Sequence, residues 1–160
     1  MQIIEFNETY SESAKDLLVQ LQEYIIKIDK FNLNILSKNY REQYFYNTIN
    51  QLKNNNGKMF LCIDNNKVLG LICGYICPYS SEDYLDYLCP KKGIISELVV
   101  SENCQNKGIG HKLIEKMENY FKDCKCEYIQ IDVFAYNENA KKFYSKHLYE
   151  ERLIVLSKKI

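Results

Sequence analysis

Helices packed on both faces of a mixed β-sheet, an α/β (α+β) sandwich, are what this 160-residue sequence predicts. Two observations carry that expectation. The apolar residues switch repeatedly between a period of two and a period near 3.6. The order that results is β-α-α-β-β-β-α-β-α-β, without an internal repeat or an interdomain linker. A chain of this length is expected to form one domain, residues 1–160, and to bury roughly 70% of the surface it exposes when unfolded.

The elements follow in order. Gln2 to Phe6 reads as a short strand. Thr9 and Glu12 have capping-box spacing, and Ala14, Leu17, Leu18, Leu21, Ile25 and Ile28 continue at helical spacing. A second helix is predicted from about Lys38 to Leu52, stopped by Asn54-Asn55-Asn56-Gly57. Lys58 to Ile63 and Lys67 to Ile76 form a hairpin, because Asn65-Asn66 tolerates the positive φ of a tight turn. Pro78 to Pro90 is polar, acidic and aromatic, hence a loop, and Ile94 to Val100 is a strand. Ile109, Leu113, Met117 and Phe121 mark a helix over Gly108 to Phe121. Tyr128 to Phe134 alternates strictly, as a strand does. Asn137 is an N-cap for a last helix through Lys146. Leu148 to Lys159 supplies one or two closing strands.

Charge and cysteine content narrow the function classes. Lys and Arg number 21, as do Asp and Glu, so nothing favours nucleic acid or an anionic membrane as partner. The seven cysteines form no CxxC pair, and His111 and His147 are distant in sequence, so no metal site is expected. Free thiols in a reducing cytoplasm account for them. Met1 to Phe6 is too short and polar for a secretory signal, and no apolar run approaches the ~20 residues of a membrane span.

Chemistry concentrates at Gln105-Asn106-Lys107-Gly108-Ile109-Gly110, between a strand and an amphipathic helix. Glycines admit a ligand close to the backbone, and a first helical turn offers free N–H groups and a positive dipole end to a diphosphate. Lys107, His111 and Lys112 lie in or beside that turn. A dinucleotide fingerprint would need a small residue where Leu113 stands, and a Walker loop would need Lys-Ser/Thr after glycine where His111 stands. Used alone, a Gly-x-Gly serves a turn or a helix cap equally well.

Two motifs taken together resemble the GNAT N-acetyltransferase superfamily. The first is the strand Glu97-Leu98-Val99-Val100 followed by Gln105-x-x-Gly108-x-Gly110. The second is Asn137-Glu138-Asn139-Ala140-Lys141-Lys142-Phe143-Tyr144, after the next strand. The resemblance implies a mostly antiparallel mixed sheet in which a central parallel pair, here the strands holding Val100 and Tyr128 to Phe134, splays to admit acetyl-CoA. By that likeness Leu98, Val99 and Val100 bind the pantetheine arm, Gln105, Asn106, Lys107, Gly108, Ile109, Gly110, His111 and Lys112 surround the diphosphate, and Asn137, Ala140 and Tyr144 line the coenzyme.

An alkylammonium acceptor with a pKa of about 10.4 costs roughly 4.6 kcal/mol to present neutral at pH 7, so a carboxylate must take its proton. Glu97 and Asp132 are the candidates. Glu97 is also a candidate to hold the amine, and each has a plain alternative as an ion-paired surface group. The N–H of Val99 or Val100 is a candidate to stabilise the thioester oxygen, and the resemblance assigns Tyr144 as the acid that protonates the departing thiolate. A route through an acetylated Cys104 lacks a paired histidine. Where the family usually has glycine after the tyrosine, this chain has Leu148, which implies a strained or different turn.

The acceptor is expected to be a primary amine of a small molecule or peptide. Tyr24 to Tyr40 and Ser80 to Leu88 are the expected selectors, with Tyr84 beside Glu82, Asp83 and Asp86 suited to a cationic amine, or simply to solvent. A catalytically idle acyl-CoA-binding regulatory module is the alternative function, and a homodimer is compatible with either.

Overall fold

The computed structural model describes residues 1–160 as one five-stranded sheet between two helical layers. The strands are β1 (Gln2–Glu5), β2 (Lys58–Asp64), β3 (Lys67–Ile76), β4 (Lys92–Val100) and β5 (Tyr128–Ile131). The helices are α1 (Ser11–Ile28), α2 (Tyr40–Asn54), α3 (Ile109–Asp123) and α4 (Glu138–Lys146). Spatial order equals chain order, β1 to β5. Every neighbouring pair is antiparallel except β4 and β5, which run parallel. The mixed sheet with one parallel pair is thus as expected. No helix is long and apolar enough to cross a membrane.

Each face of the sheet has its own core. Ala14, Leu17 and Leu18 of α1 and Leu52 of α2 pack on Met59, Leu61, Leu71, Cys73 and Val99. Ile109, Leu113, Ile114, Met117 and Phe121 of α3 pack on Phe60, Cys62, Ile72 and Ile95, with Tyr144 of α4 in the same cluster. The α3 stripe therefore exists because its apolar residues recur every three or four positions. Each such fully buried side chain contributes about 1.5–3 kcal/mol relative to exposure.

Several local features differ from expectation. The Thr9–Glu12 capping box does not form. Asn7 instead accepts the Thr9 N–H at 3.1 Å and caps a 3-10 turn at Glu8–Tyr10, after which α1 starts at Ser11. β5 ends at Ile131 rather than Phe134, because β4 and β5 stay paired only from Lys92↔Tyr128 to Ile95↔Ile131. No closing strand forms after α4, and the residues beyond Glu150 carry no regular structure. The hairpin turn is as read, with Asn65 and Asn66 both at positive φ, 45° and 61°. All seven cysteines are free thiols.

Between Glu97 and Ile95 the β3–β4 register slips. Cys73 pairs with Glu97 and Gly74 with Ile95, so Ser96 is an extra residue in β4. A bulge of this kind reverses which face each later side chain meets. Ile95 accordingly joins the α3 core, while Val99 joins the α1–α2 core and Leu98 and Val100 face α3. Glu97 is carried to the α2 side.

Candidate active site

The site lies where β4 outruns its parallel neighbour. From Glu97 to Val100, β4 pairs only with β3, so its other edge has no strand beside it. Ser101 donates its N–H to Leu69 O at 2.9 Å, toward β3. Alternation along the strand then turns Val99 toward β3 and Leu98 and Val100 toward the gap. The Val100 carbonyl is met there by the amides of Gln20 at 3.2 Å and Gln105 at 3.4 Å.

Glu97 is nearly fully buried at 9% exposure. Its carboxylate accepts a very short hydrogen bond from the Tyr44 hydroxyl. Tyr40 stacks on Tyr44, ring centroids 4.7 Å apart and 13° from parallel, so α2 holds the donor in place. Burial pushes the Glu97 carboxyl up to about 7, and the Tyr44 bond opposes that rise without cancelling it. Tyr144 is also buried, at 8% exposure, and burial first and the Glu97 charge second push its phenol up. The same carboxylate raises Tyr40, Tyr44, Tyr75 and Cys73 after burial has done so. One ionisable acid thus sits among four tyrosines without a cationic partner.

The loop before α3 has the properties a diphosphate cradle needs. From Gln105 to His111 no main-chain N–H finds a main-chain acceptor; the first that does is Lys112, to Gly108 O at 3.2 Å. Asn106 and Gly108 both take left-handed backbone, φ 60° and 75°, a conformation found in loops whose successive N–H groups form anion-binding concavities. A Cβ at Gly108 would meet nothing within 4 Å, so glycine serves backbone conformation there. At Gly110 a Cβ would stand 3.3 Å from the Phe143 ring, so this glycine seats α3 against α4. Lys107 and Lys112 are exposed, and Lys107 Nζ lies 3.1 Å from Asn103 O. These amides and cations fit the diphosphate of a coenzyme.

The remaining expected residues are placed as follows. Asn137 caps α4 by accepting the Ala140 N–H at 3.1 Å, and it also accepts the Tyr24 hydroxyl at 3.1 Å. Asp132 lies one residue past β5, exposed, with the Gln130 amide at 3.3 Å. His111 and His147, remote in sequence, meet at 2.7 Å between ring nitrogens and pack against Phe143. Tyr84 sits in a short turn, Asp83–Leu85, 66% exposed and edge-on to Tyr79 at 6.2 Å. The adjoining recess of about 380 Å³ is lined by Tyr79, Asp83, Asp86, Tyr87, Lys92 and Arg152 among others. Lys92 already lies within 5.8 Å of the Tyr79 and Tyr87 rings and Arg152 within 5.3 Å of Tyr87, and Lys92 is five residues, roughly 17 Å of strand, from Glu97. Tyr84 and Glu97 are therefore not brought together.

Tyr44 was not singled out by sequence reasoning, which placed it only within the predicted second helix, and Tyr40 entered only as the end of the expected selector segment Tyr24 to Tyr40. Their signal was faint: two hydroxylated aromatics four residues apart on a core-facing helix, where a buried phenol needs a polar partner. The Ser96 bulge left no trace in the alternation at all.

A split parallel pair beside a loop of free amides is the architecture of coenzyme-dependent acyl transfer. The chain belongs to the acetyltransferase (GNAT) family, whose model matches residues 23–148. An uncharacterized N-acetyltransferase of Methanocaldococcus jannaschii is 36% identical over 64 residues, 39% of this chain; that match spans 41% of the relative's length. Among solved structures, a tetramutant of the BH1408 protein from Bacillus halodurans has TM-score 0.85 at 19% identity, covering all of both chains. A putative acetyl transferase from Pyrococcus furiosus has TM-score 0.72 at 22% identity, with 99% of each chain covered. An aminoglycoside acetyltransferase from an uncultured soil metagenomic sample has TM-score 0.66 at 22% identity, covering 99% of this chain and 95% of its own. These structures share the fold.

Proposed function

We propose that the protein transfers an acetyl group directly from acetyl-CoA to a primary amine of a small molecule or peptide. The observation that carries this reading is the buried Glu97, half ionised near neutrality, at the rim of the β4–β5 gap with Tyr144 in its field. The amides from Gln105 to His111, with Lys107 and Lys112, would hold the diphosphate, and Leu98 and Val100 the pantetheine arm, with Asn137 and Ala140 beside it. Acetyl-CoA supplies an electrophilic thioester carbonyl.

Glu97 removes the proton from the acceptor nitrogen as that nitrogen bonds to the carbonyl carbon. The Val100 N–H, turned toward the gap, donates to the carbonyl oxygen as negative charge builds on it. Tyr144 gives its phenolic proton to the coenzyme sulfur as the carbon–sulfur bond breaks. Burial makes this phenol a weaker acid than usual, but part of its elevation comes from the Glu97 charge. Once Glu97 has taken the amine proton that part vanishes, so the base step prepares the acid step. Asp132, exposed at the end of β5, is the less favoured base.

The test is mass-spectrometric detection of acetylated product from polyamines, aminoglycosides, amino acids and peptides. Aminoglycosides belong in the panel because one structural neighbour is an aminoglycoside acetyltransferase. With a true acceptor, Tyr144→Phe is expected to lower kcat by about 10- to 1000-fold while acetyl-CoA affinity stays within a few-fold. Tight acetyl-CoA binding without product from any acceptor would favour the idle regulatory module instead. An unaltered Tyr144→Phe rate removes the phenol from the chemistry.

A further inference from the structure

Between α1 and α2, the segment from Asp29 to Asn39 combines a fixed backbone with apolar side chains that its own chain leaves bare. Asp29 is 7% exposed, and its carboxylate accepts the main-chain N–H groups of Phe31, Leu33 and Asn34 at 3.0, 2.8 and 3.0 Å. The Asn34 side-chain amide donates to it as well, at 2.8 Å. Gln22 of α1 donates to the Ile35 carbonyl at 2.8 Å and draws the segment back along that helix. A carboxylate that gathers four donors holds the loop in one shape. Yet Phe31, Leu33, Ile35 and Leu36 are 40%, 76%, 68% and 41% exposed. Single exposed apolar residues are ordinary, but four within six residues of an ordered loop mark a contact surface.

Both ends of this segment reach the reaction centre. At the α1 end the Tyr24 hydroxyl donates to Asn137, the cap of α4, at 3.1 Å, and Lys30 Nζ lies 4.0 Å from the Tyr136 ring centre. Phe134 and Tyr136, in the connection from β5 to α4, are 39% and 44% exposed and add to the apolar surface. At the α2 end the segment runs into Tyr40, whose ring stacks on the Tyr44 that donates to Glu97. The segment thus bridges the Glu97 pocket and the cap of the helix that carries Tyr144.

Charge argues against one class of acceptor. From Lys27 to Tyr40 the chain carries Lys27, Lys30 and Lys38 against Asp29 alone, and that carboxylate is already occupied by the loop. A polyamine or an aminoglycoside would bring several cations to a surface of like charge. The proton affinity of the base points the same way. Glu97, lifted to about 7, lies within about one pH unit of a peptide α-ammonium but more than three below an alkylammonium. Six apolar side chains also exceed what a small amine can cover.

We infer that the acceptor is the amino-terminal nitrogen of a peptide whose first residues are apolar, laid on Phe31, Leu33, Ile35 and Leu36 with the nitrogen at Glu97. This rests on the reading of Glu97 as the base and narrows it to one substrate class. Because the Asp29 bonds fix the loop beforehand, little order is lost when the peptide binds.

Fluorescence anisotropy of peptides labelled at their carboxyl ends tests the assignment, with CoA present, which has no acetyl group to transfer. A peptide beginning Leu-Phe-Leu should bind about 10-fold more tightly than one of equal length beginning Ser-Gly-Ser, and equimolar spermidine should not displace it. Leu33→Ser/Ile35→Ser should abolish that preference. Both side chains are exposed, so the variant is expected to keep the circular dichroism spectrum of the parent. Equal affinity for the two peptides, a preference that survives the serines, or displacement by spermidine overturns the assignment. Replacing CoA by acetyl-CoA separates it from the reading beneath it. Preferential binding without acetylated product supports the peptide surface and removes the transferase, whereas product formed from both peptides at equal kcat/KM supports the transferase and overturns the preference.

Discussion

Glu97 concentrates the consequences of burial on one proton. A carboxyl lifted to about 7 is protonated over much of the range in which surface acids are charged. A base must be ionised to act, so kcat/KM is expected to rise tenfold per pH unit below about 7 and to flatten above it. Tyr44 sets where that limb falls, because its hydrogen bond favours the charged form. Tyr44→Phe should move the limb upward by about one pH unit, as loss of a bond to a charged group implies, while leaving the plateau within a few-fold. A limb that stays in place would show that the phenol does not tune this carboxyl. Tyr44 acts through Glu97, and a pH profile separates that role from simple packing, which would lower the rate at every pH.

At the scale of an element, the end of α4 stores strain that its sequence announced. Leu148 takes φ 64°, the conformation glycine usually supplies. The turn around it is a Schellman stop: Tyr149 N–H reaches Tyr144 O at 3.1 Å and Leu148 N–H reaches Ser145 O at 3.1 Å. The rings of Tyr144 and Tyr149 meet at 5.7 Å to complete it. Leu148 itself is 90% exposed, so its side chain returns little for the strain. Leu148→Gly is therefore expected to stabilise the protein by about 1 kcal/mol in urea unfolding, the left-handed penalty less the entropy glycine adds to the unfolded chain. A destabilised variant would contradict that balance. Helices and the hairpin were legible because periodicity, Asn137 and Asn65-Asn66 are local signals. The tail strands and the last three residues expected for β5, Asp132 to Phe134, were misread because pairing depends on a neighbour, and β4 and β5 stop pairing after Ile95.

For the whole molecule, the raised Glu97 links stability to pH with the reverse of the usual carboxylate sign. Its folded value near 7 exceeds the unfolded 4.5, so the native state binds the proton more tightly. The associated stabilisation is complete below about pH 4.5 and is lost as pH rises through 7. Relative to the parent, Glu97→Gln should therefore gain stability between pH 4.5 and 8, by roughly 3 kcal/mol in the limit, read from paired urea titrations at the two pH values. A difference independent of pH would mean that the carboxyl titrates normally. The coenzyme loop was legible from Gln105 to Gly110 because its chemistry lies in one stretch. The acid–base pocket was legible only in Glu97 and Tyr144, since Tyr44 reaches it from 53 residues away in sequence.

The insertion at Ser96 has an effect that reaches past the site. Odd-numbered positions of β4 answer to α3 on one side of it and to α1 and α2 on the other, so inside and outside trade places partway along a single strand. Tolerance to substitution along β4 should change phase at that point. Removing one residue there would turn a carboxylate away from its phenol and into a hydrocarbon layer, and would exchange the faces of Leu98, Val99 and Val100 along with it.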